Sequence, residues 1–164
     1  EFKSIEFHDN LVDCNAIEDF YDKLCTLLAN RVLETVQKGL YKSYTSTSRS
    51  VSHIKGKINI KSLIKNPWSS NIECEYQEFT SDIEDNRIIA WALFLIANSG
   101  VCFRSLPTIR KSLQAIGNLV ELKPCRSEDC VDRNYNQLNE SYRPLHALCR
   151  FFLDSSSASI SRGE

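Results

Sequence analysis

Residues 86–97 read Asn86-Arg87-Ile88-Ile89-Ala90-Trp91-Ala92-Leu93-Phe94-Leu95-Ile96-Ala97, and this run decides the fold. It is apolar nearly all round and is followed by Gly100. A helix that is apolar on every side belongs in the core of a protein, because no face of it suits water. We therefore predict a buried helix here, ending near Gly100.

Three further helices are predicted. Asn15 and Glu18 have the spacing of a capping box, and the apolar spacing that follows predicts a helix over residues 16–38 with Gly39 as its stop. Pro107 marks a helix over residues 108–116 that ends near Gly117. A fourth begins at Arg143-Pro144, and its predicted buried side carries Leu145, Leu148, Cys149, Phe151 and Phe152.

The hydrophobic period changes between residues 40 and 60. Short segments over residues 40–44 and 54–60 bracket a Ser- and Thr-rich stretch at 43–52, which predicts a β-hairpin with a long, flexible polar tip. A further short strand is predicted over residues 72–79. The predicted fold class is therefore α+β and mainly helical, with roughly four helices, a projecting basic β-hairpin and a short additional strand.

The chain of 164 residues has no Met, even at position 1, so we expect it to be a piece of a longer protein. Residues 1–14 are interpreted as the remnant of a preceding segment, with Phe2, Ile5 and Phe7 in a strand. Residues 15–153 form the predicted helical domain, and the Ser-rich residues 154–164 have linker composition. Without an apolar run of about 18 residues or a signal peptide, a soluble cytoplasmic parent is expected.

The net charge of −1 hides a segregation of charge along the chain. Residues 35–72 contain no acidic residue, and their seven cations are Lys38, Lys42, Arg49, Lys55, Lys57, Lys61 and Lys65. Six acidic residues then precede Arg87. A basic hairpin beside an acidic strand is either a self-neutralising surface or a projection into an anionic partner. That partner would be a nucleic-acid backbone or an acidic or phosphate-lined protein cavity.

The seven cysteines are interpreted as reduced core thiols, because they are odd in number and mostly lie among apolar neighbours. One alternative is a zinc site formed by Cys125, Cys130, His146 and Cys149, which are ligand types that zinc accepts. The five glycines are too scattered to form a phosphate-binding loop. If a nucleotide is used, we expect another chain to bind it.

Glu121-Leu122-Lys123 has the Glu-x-Lys form of a metal-dependent nuclease strand. That chemistry also needs an aspartate at the end of a neighbouring strand, whereas Asp82 and Asp85 lie across a whole helix in sequence. A chance occurrence of two common residues is the favoured interpretation.

Several blocks of the sequence, taken in order, resemble the McrC family, the nuclease-bearing subunits of GTP-dependent, modification-directed restriction systems. The resemblance runs from about residue 15 to residue 164. Its blocks are Leu28-Ala29-Asn30-Arg31-Val32-Leu33-Glu34, Lys38-Gly39-Leu40 with Tyr44, His53-Ile54-Lys55-Gly56-Lys57-Ile58, Cys74-Glu75-Tyr76-Gln77-Glu78-Phe79-Thr80 with Asn86-Arg87-Ile88-Ile89, and Tyr135-Asn136-Gln137-Leu138-Asn139-Glu140-Ser141-Tyr142-Arg143-Pro144-Leu145.

The resemblance implies a parent that works with an AAA+ GTPase ring of the McrB kind and reaches DNA through that complex. The family inserts a finger into the ring's central pore, stimulates GTP hydrolysis and cuts DNA with a C-terminal PD-(D/E)xK domain that uses Mg²⁺. Residues 40–60 would form or support the finger, and Asn86-Arg87 would start a core helix. The partner-binding residues expected there are Lys42, Arg49, His53, Lys55, Gly56 and Lys57.

The family often has Arg-Gly-Arg where this chain has Lys55-Gly56-Lys57, so the charge is kept but the planar bidentate donor is lost. The chain stops about where the family's nuclease domain begins. We therefore expect residues 1–164 to bind no cofactor of their own, GTP being held by the partner, and to be non-catalytic. The alternatives are a sequence-independent DNA-binding module and a zinc-stabilised structural domain.

Overall fold

The computed structural model describes the backbone of residues 14–160 and the side chains of residues 17–156. Five α-helices, three strands and one 3-10 turn follow in chain order: α1 Cys14–Lys38, β1 Ser43–Val51, β2 Lys57–Ile58, α2 Ile60–Lys65, β3 Ile72–Thr80, α3 Glu84–Asn98, α4 Leu106–Gly117, the 3-10 turn Ser127–Cys130 and α5 Tyr142–Ile160. The predicted α+β, mainly helical class is confirmed. The strand suggested by Phe2, Ile5 and Phe7 lies outside the described residues.

Helices α1, α3, α4 and α5 form the body, and α3 supplies its centre. Ile88, Ile89, Ala92 and Leu93 of α3 are buried, as its all-round apolar sequence predicts. Helices α4 and α5 both pack against α3, and α1 packs against α4 and α5. Each fully buried Leu or Ile side chain contributes about 1.5–3 kcal/mol of hydrophobic stabilisation. The central helix is therefore the main determinant of the body.

The predicted helix bounds are confirmed within a few residues, with two exceptions at the ends. Helix α1 begins at Cys14, so Asn15 lies inside it rather than before it. Gly39 ends α1 with φ +96°, the left-handed conformation that glycine adopts without strain. Helix α5 continues to Ile160, so the linker predicted from residue 154 is helical through that residue. The Ser-rich composition predicted a linker, but Ser155 and Ser156 donate to the carbonyls three residues earlier and are thereby accommodated within the helix.

The three strands form one antiparallel sheet in the order β1-β3-β2. β1 pairs with β3 over nine residues, from Ser43 opposite Thr80 to Val51 opposite Ile72. On the other side of β3, β2 contributes only Lys57 opposite Glu75 and Ile58 opposite Cys74. The central strand is thus the acidic strand predicted over residues 72–79.

The pairing predicted within residues 40–60 is wrong. The Ser- and Thr-rich stretch at 43–52 is almost entirely the edge strand β1 rather than a flexible tip, and its partner is β3. Residues 54–60 offer only two ladder positions, because Gly56 turns the chain and Asn59 caps the next helix. A nine-residue ladder on β3 satisfies far more backbone donors and acceptors, so it determines the register.

Among the described residues, no helix is both long and apolar enough to cross a membrane.

Candidate partner-docking finger

The sheet and α2 project from the helical body as one unit, residues 43–80, which we call the finger. Within residues 14–160 the strands pack mainly on one another. Of the helices, α2 packs against the sheet, through β3. Nine strand residues at about 3.4 Å each make a projection of about 30 Å. The finger is longer in sequence than the predicted residues 40–60, because β3 forms half of its stem.

Asn86, buried in the first turn of α3, ties both strands to the body at the root of the finger. Its Nδ2 donates to the carbonyl of Tyr41, just before β1, at 2.9 Å and to that of Ser81, just after β3, at 2.6 Å. The backbone N–H of Tyr41 in turn donates to the hydroxyl of Tyr142 at 2.9 Å. Burial raises the pKa of Tyr142, so this hydroxyl stays neutral. The sequence places Asn86 at a helix start but gives no sign of this role.

A second set of contacts fixes the root of β3. Arg87 binds Asp82 through two hydrogen bonds of 2.8 Å, and Asp82 also accepts from the backbone N–H of Glu121 at 3.0 Å. Hydrogen bonding to Arg87 is the main cause that lowers the pKa of Asp82. Ser81 donates to the Leu119 carbonyl at 3.1 Å. The root therefore has a defined direction relative to α3 and the segment after α4.

The structure separates the predicted partner-binding residues along the finger. Lys42 lies at the root, next to the Ser43 and Thr80 pair, and Arg49 lies on β1 with its guanidinium 3.9 Å from the Glu78 carboxylate. His53, Lys55, Gly56 and Lys57 lie together in the segment that crosses from the far end of β1 to the other side of β3. Lys42 and Arg49 are thus not part of the cluster that the other four residues form.

Gly56 permits this crossing. Its φ is +66°, and a Cβ atom there would come within 2.5 Å of the Glu75 carbonyl oxygen and 2.9 Å of the Tyr76 Cβ. Lys55 lies over the Tyr76 ring, 5.7 Å from its centroid, and Lys57 lies opposite Glu75. Since Tyr76 and Glu75 point to opposite faces of β3, the two lysines carry positive charge to both faces. The Lys-Gly-Lys block therefore lies along the middle of the stem, not at its end.

The end of the finger is formed by α2 and the turn after it, which the sequence reasoning did not single out. Asn59 caps α2 by accepting from the Ser62 backbone N–H at 3.3 Å, and its Nδ2 donates to Glu73 on β3 at 3.2 Å. Ile60 and Ile64 are exposed on α2, and Trp68 is exposed on the turn. In the sequence, the signals that could have predicted α2 are the capping residue Asn59 and the four-residue spacing of the two isoleucines.

The four residues of the zinc alternative do not form a ligand set. His146 is buried, and both of its ring nitrogens are occupied: Nδ1 lies 2.8 Å from the Tyr135 hydroxyl and Nε2 lies 3.0 Å from the Asp85 carbonyl. Burial raises the pKa of Cys149 well above its ordinary value and that of Cys130 to about 11. In the part of the chain that the structure describes, no group of three His, Cys, Asp or Glu side chains is placed to hold a metal ion.

The Glu121-x-Lys123 pair lies in an irregular segment after α4, not on a strand. The two side chains pair with each other at 2.9 Å and are largely exposed. The fold does bring Asp82 next to Glu121, despite the helix between them in sequence, but both oxygens of Asp82 bind Arg87. These groups neutralise one another rather than converge on a cation.

Comparison with known proteins agrees with this architecture. The chain matches the family model described as McrBC 5-methylcytosine restriction system component over residues 2–164. No curated protein sequence matches it. Among solved structures, it is similar to a chain of the Thermococcus gammatolerans McrBC complex, with 19% identity and a TM-score of 0.61, covering 79% of this chain and 40% of that one.

A second similar structure is the half-complex of Thermococcus gammatolerans McrB AAA+ hexamers with bound McrC, with 18% identity and a TM-score of 0.61. That match covers 90% of this chain and 34% of the other. The chain thus spans well under half the length of the solved chains it resembles, and at these identities the likeness shows the fold. The family match over nearly the whole chain shows more: the protein belongs to the McrBC 5-methylcytosine restriction system component family.

Proposed function

We propose that the finger docks its parent protein on an AAA+ GTPase ring of the McrB kind and stimulates GTP hydrolysis by that ring. The observation that carries the proposal is the finger itself, a narrow sheet about 30 Å long whose root is held by buried Asn86. A solved relative of similar fold is a complex of McrB AAA+ hexamers with bound McrC. Under this proposal residues 14–160 supply docking, and cleavage of DNA belongs to other parts of the parent complex.

The charges of the finger favour a protein partner over the phosphate backbone of DNA. On the stem, Glu73, Glu75 and Glu78 alternate with the cations, and Arg49 lies beside Glu78. A phosphate-binding surface works by releasing counterions from DNA with unpaired Lys and Arg side chains. The carboxylates between these cations would repel DNA phosphates. A protein surface, in contrast, can offer charged partners of both signs to the stem.

The test measures GTP turnover by the ring GTPase with and without the full-length parent chain. We expect the parent to raise turnover, and the double substitution Lys55→Glu with Lys57→Glu to return it to near the basal rate. Lys111→Glu, which reverses an exposed charge on α4 of the body, is the matched control and should leave stimulation intact. A folded parent chain that does not change GTP turnover would refute the proposal.

A further inference from the structure

Two buried cysteines of the helical body lie in contact. The Sγ atoms of Cys25 on α1 and Cys102, in the segment between α3 and α4, are 2.8 Å apart, although 77 positions separate the two residues in sequence. Both thiols are free. The sulfur atoms of a disulfide are about 2.05 Å apart, so a further approach of about 0.8 Å would join them. Of the six cysteines whose side chains the structure describes, these form the pair whose sulfur atoms meet.

Contacts beside the pair hold the two thiols together. Asp19 and Asp22 precede the cysteine of α1 at intervals of three residues, so all three side chains lie on one face of the helix. Asp22 accepts from the backbone N–H and the hydroxyl of Ser105 at 3.2 and 2.7 Å, and Arg104 donates to Asp19 at 2.8 Å. The segment between α3 and α4 is therefore fastened to the face of α1 that carries the thiol.

This segment also gives a reagent access to the pair. Cys102 is 3% exposed, but its neighbours Val101 and Phe103 are 49% and 80% exposed, so its thiol lies directly beneath the surface. Local opening of an irregular segment costs less free energy than global unfolding. Burial raises the pKa of both thiols, so the closed pair stays protonated and unreactive until the segment opens.

We propose that Cys25 and Cys102 are a redox modification site, at which a small disulfide such as glutathione disulfide oxidises the two thiols to an intramolecular disulfide. The Cys102 thiolate attacks one sulfur of the reagent, whose S–S bond breaks and releases one glutathione thiolate. The Cys25 thiolate then attacks the Cys102 sulfur and expels the second glutathione. The two protons lost by the cysteines end on the two glutathione thiols, so the cysteine sulfurs are oxidised and the reagent is reduced.

The bond closes the stretch between residues 25 and 102, which contains the whole finger and α3. A cross-link across a long stretch stabilises a protein mainly by restricting the unfolded chain. It also fixes α1 relative to the start of α4, the helix against which α1 already packs. Amide hydrogen exchange through global unfolding should therefore slow about 30-fold or more in α1 and α3 of the oxidised chain. Dithiothreitol should restore the original exchange rates.

The test treats the folded full-length parent with excess glutathione disulfide, alkylates the remaining thiols and maps the peptides by mass spectrometry without reduction. We expect a cross-linked pair of peptides that contain Cys25 and Cys102, lighter than the two free peptides by two hydrogen atoms. Cys102→Ser should abolish this product. Cys125→Ser is the control and should retain it, because Cys125 is more exposed and a reaction governed by exposure alone would use it.

The map of the wild-type parent decides the pairing, so the result does not depend on how well the variants fold. Absence of the cross-link in the folded chain overturns the inference, as does glutathione retained on either cysteine without the cross-link. A bond between Cys125 and Cys130 in its place overturns it too. A Cys25–Cys102 bond that leaves amide exchange in α1 unchanged overturns the stabilising role of the bond. None of these outcomes bears on docking to the ring GTPase, which is measured separately.

Discussion

Asn86 is the residue on which the position of the finger depends most directly. It is buried, and its single amide group holds the backbone just before β1 and just after β3. Its Oδ1 atom is buried without a hydrogen-bond partner among the described residues. Such an atom carries a desolvation cost, which indicates that the two Nδ2 contacts outweigh it.

The substitution Asn86→Asp should therefore destabilise the chain strongly. A carboxylate oxygen would replace Nδ2 and face two carbonyl oxygens, so two hydrogen bonds become two repulsive contacts. We expect the free energy of unfolding in urea to fall by about 3 kcal/mol or more. Asn98→Asp is the control, since Asn98 is exposed at the end of α3 and bonds only within its helix. Equal losses of unfolding free energy in the two variants would show that the Asn86 hydrogen bonds do not hold the root of the finger.

Gly56 offers a second prediction at this scale. Gly56→Ala combines a positive φ with overlap against the backbone of β3. We expect it to cost about 1–3 kcal/mol in the free energy of unfolding. Gly117→Ala, at the end of α4 with open space around it, should be neutral or stabilise by up to about 1 kcal/mol. A neutral Gly56→Ala would mean that the crossing segment does not pack on β3 as described.

At the scale of elements, His146 joins α5 to α3 and to the segment after the 3-10 turn. It accepts from the Tyr135 hydroxyl through Nδ1 and donates through Nε2 to the Asp85 carbonyl. The Asp85 carboxylate is itself paired with Arg133. Burial is the largest cause that lowers the pKa of His146, so the buried imidazole is neutral. In this neutral form Nδ1 is free to accept from the hydroxyl while Nε2 donates to the carbonyl.

This arrangement predicts a pH dependence of stability. Because the folded pKa of His146 lies below the unfolded value of about 6.5, the unfolded chain binds more protons as pH falls through 6.5. The free energy of unfolding should then fall by up to about 1.4 kcal/mol per pH unit below that value. His146→Gln should remove this dependence, whereas His53→Gln, on the exposed crossing segment, should retain it. Urea unfolding between pH 5 and pH 8 measures how the free energy of unfolding changes with pH in each variant.

The whole molecule consists of a helical body and a projection that meet at the finger root. Replacing residues 44–79 by Asn-Gly would join Ser43 to Thr80, which are already paired, through a two-residue hairpin turn. We expect the shortened chain to keep the helical circular dichroism of the body and a cooperative thermal transition, because the strands pack mainly on one another. Loss of cooperative unfolding would show that the finger belongs to the core.

The body could be predicted from the sequence because its signals are local. The apolar run at 86–97, the stop at Gly39 and Pro107 near the start of α4 each depend on neighbours within a few residues. The sheet could not be predicted in the same way. Whether residues 43–52 pair with residues 54–60 or with β3 depends on which alignment satisfies more hydrogen bonds across 30 residues of chain.

By itself, the sequence determined the α+β class, the central helix, the segregation of basic and acidic segments and the family resemblance that the family match confirms. Only the tertiary structure decided that the Ser- and Thr-rich stretch is a strand, that Asn86 ties both strands to the body and that Asp82 meets Glu121. It also placed α2 at the far end of the stem. The physical reason is that helices form from contacts a few residues apart, whereas strand pairing, clamps and exposed surfaces depend on contacts between distant parts of the chain.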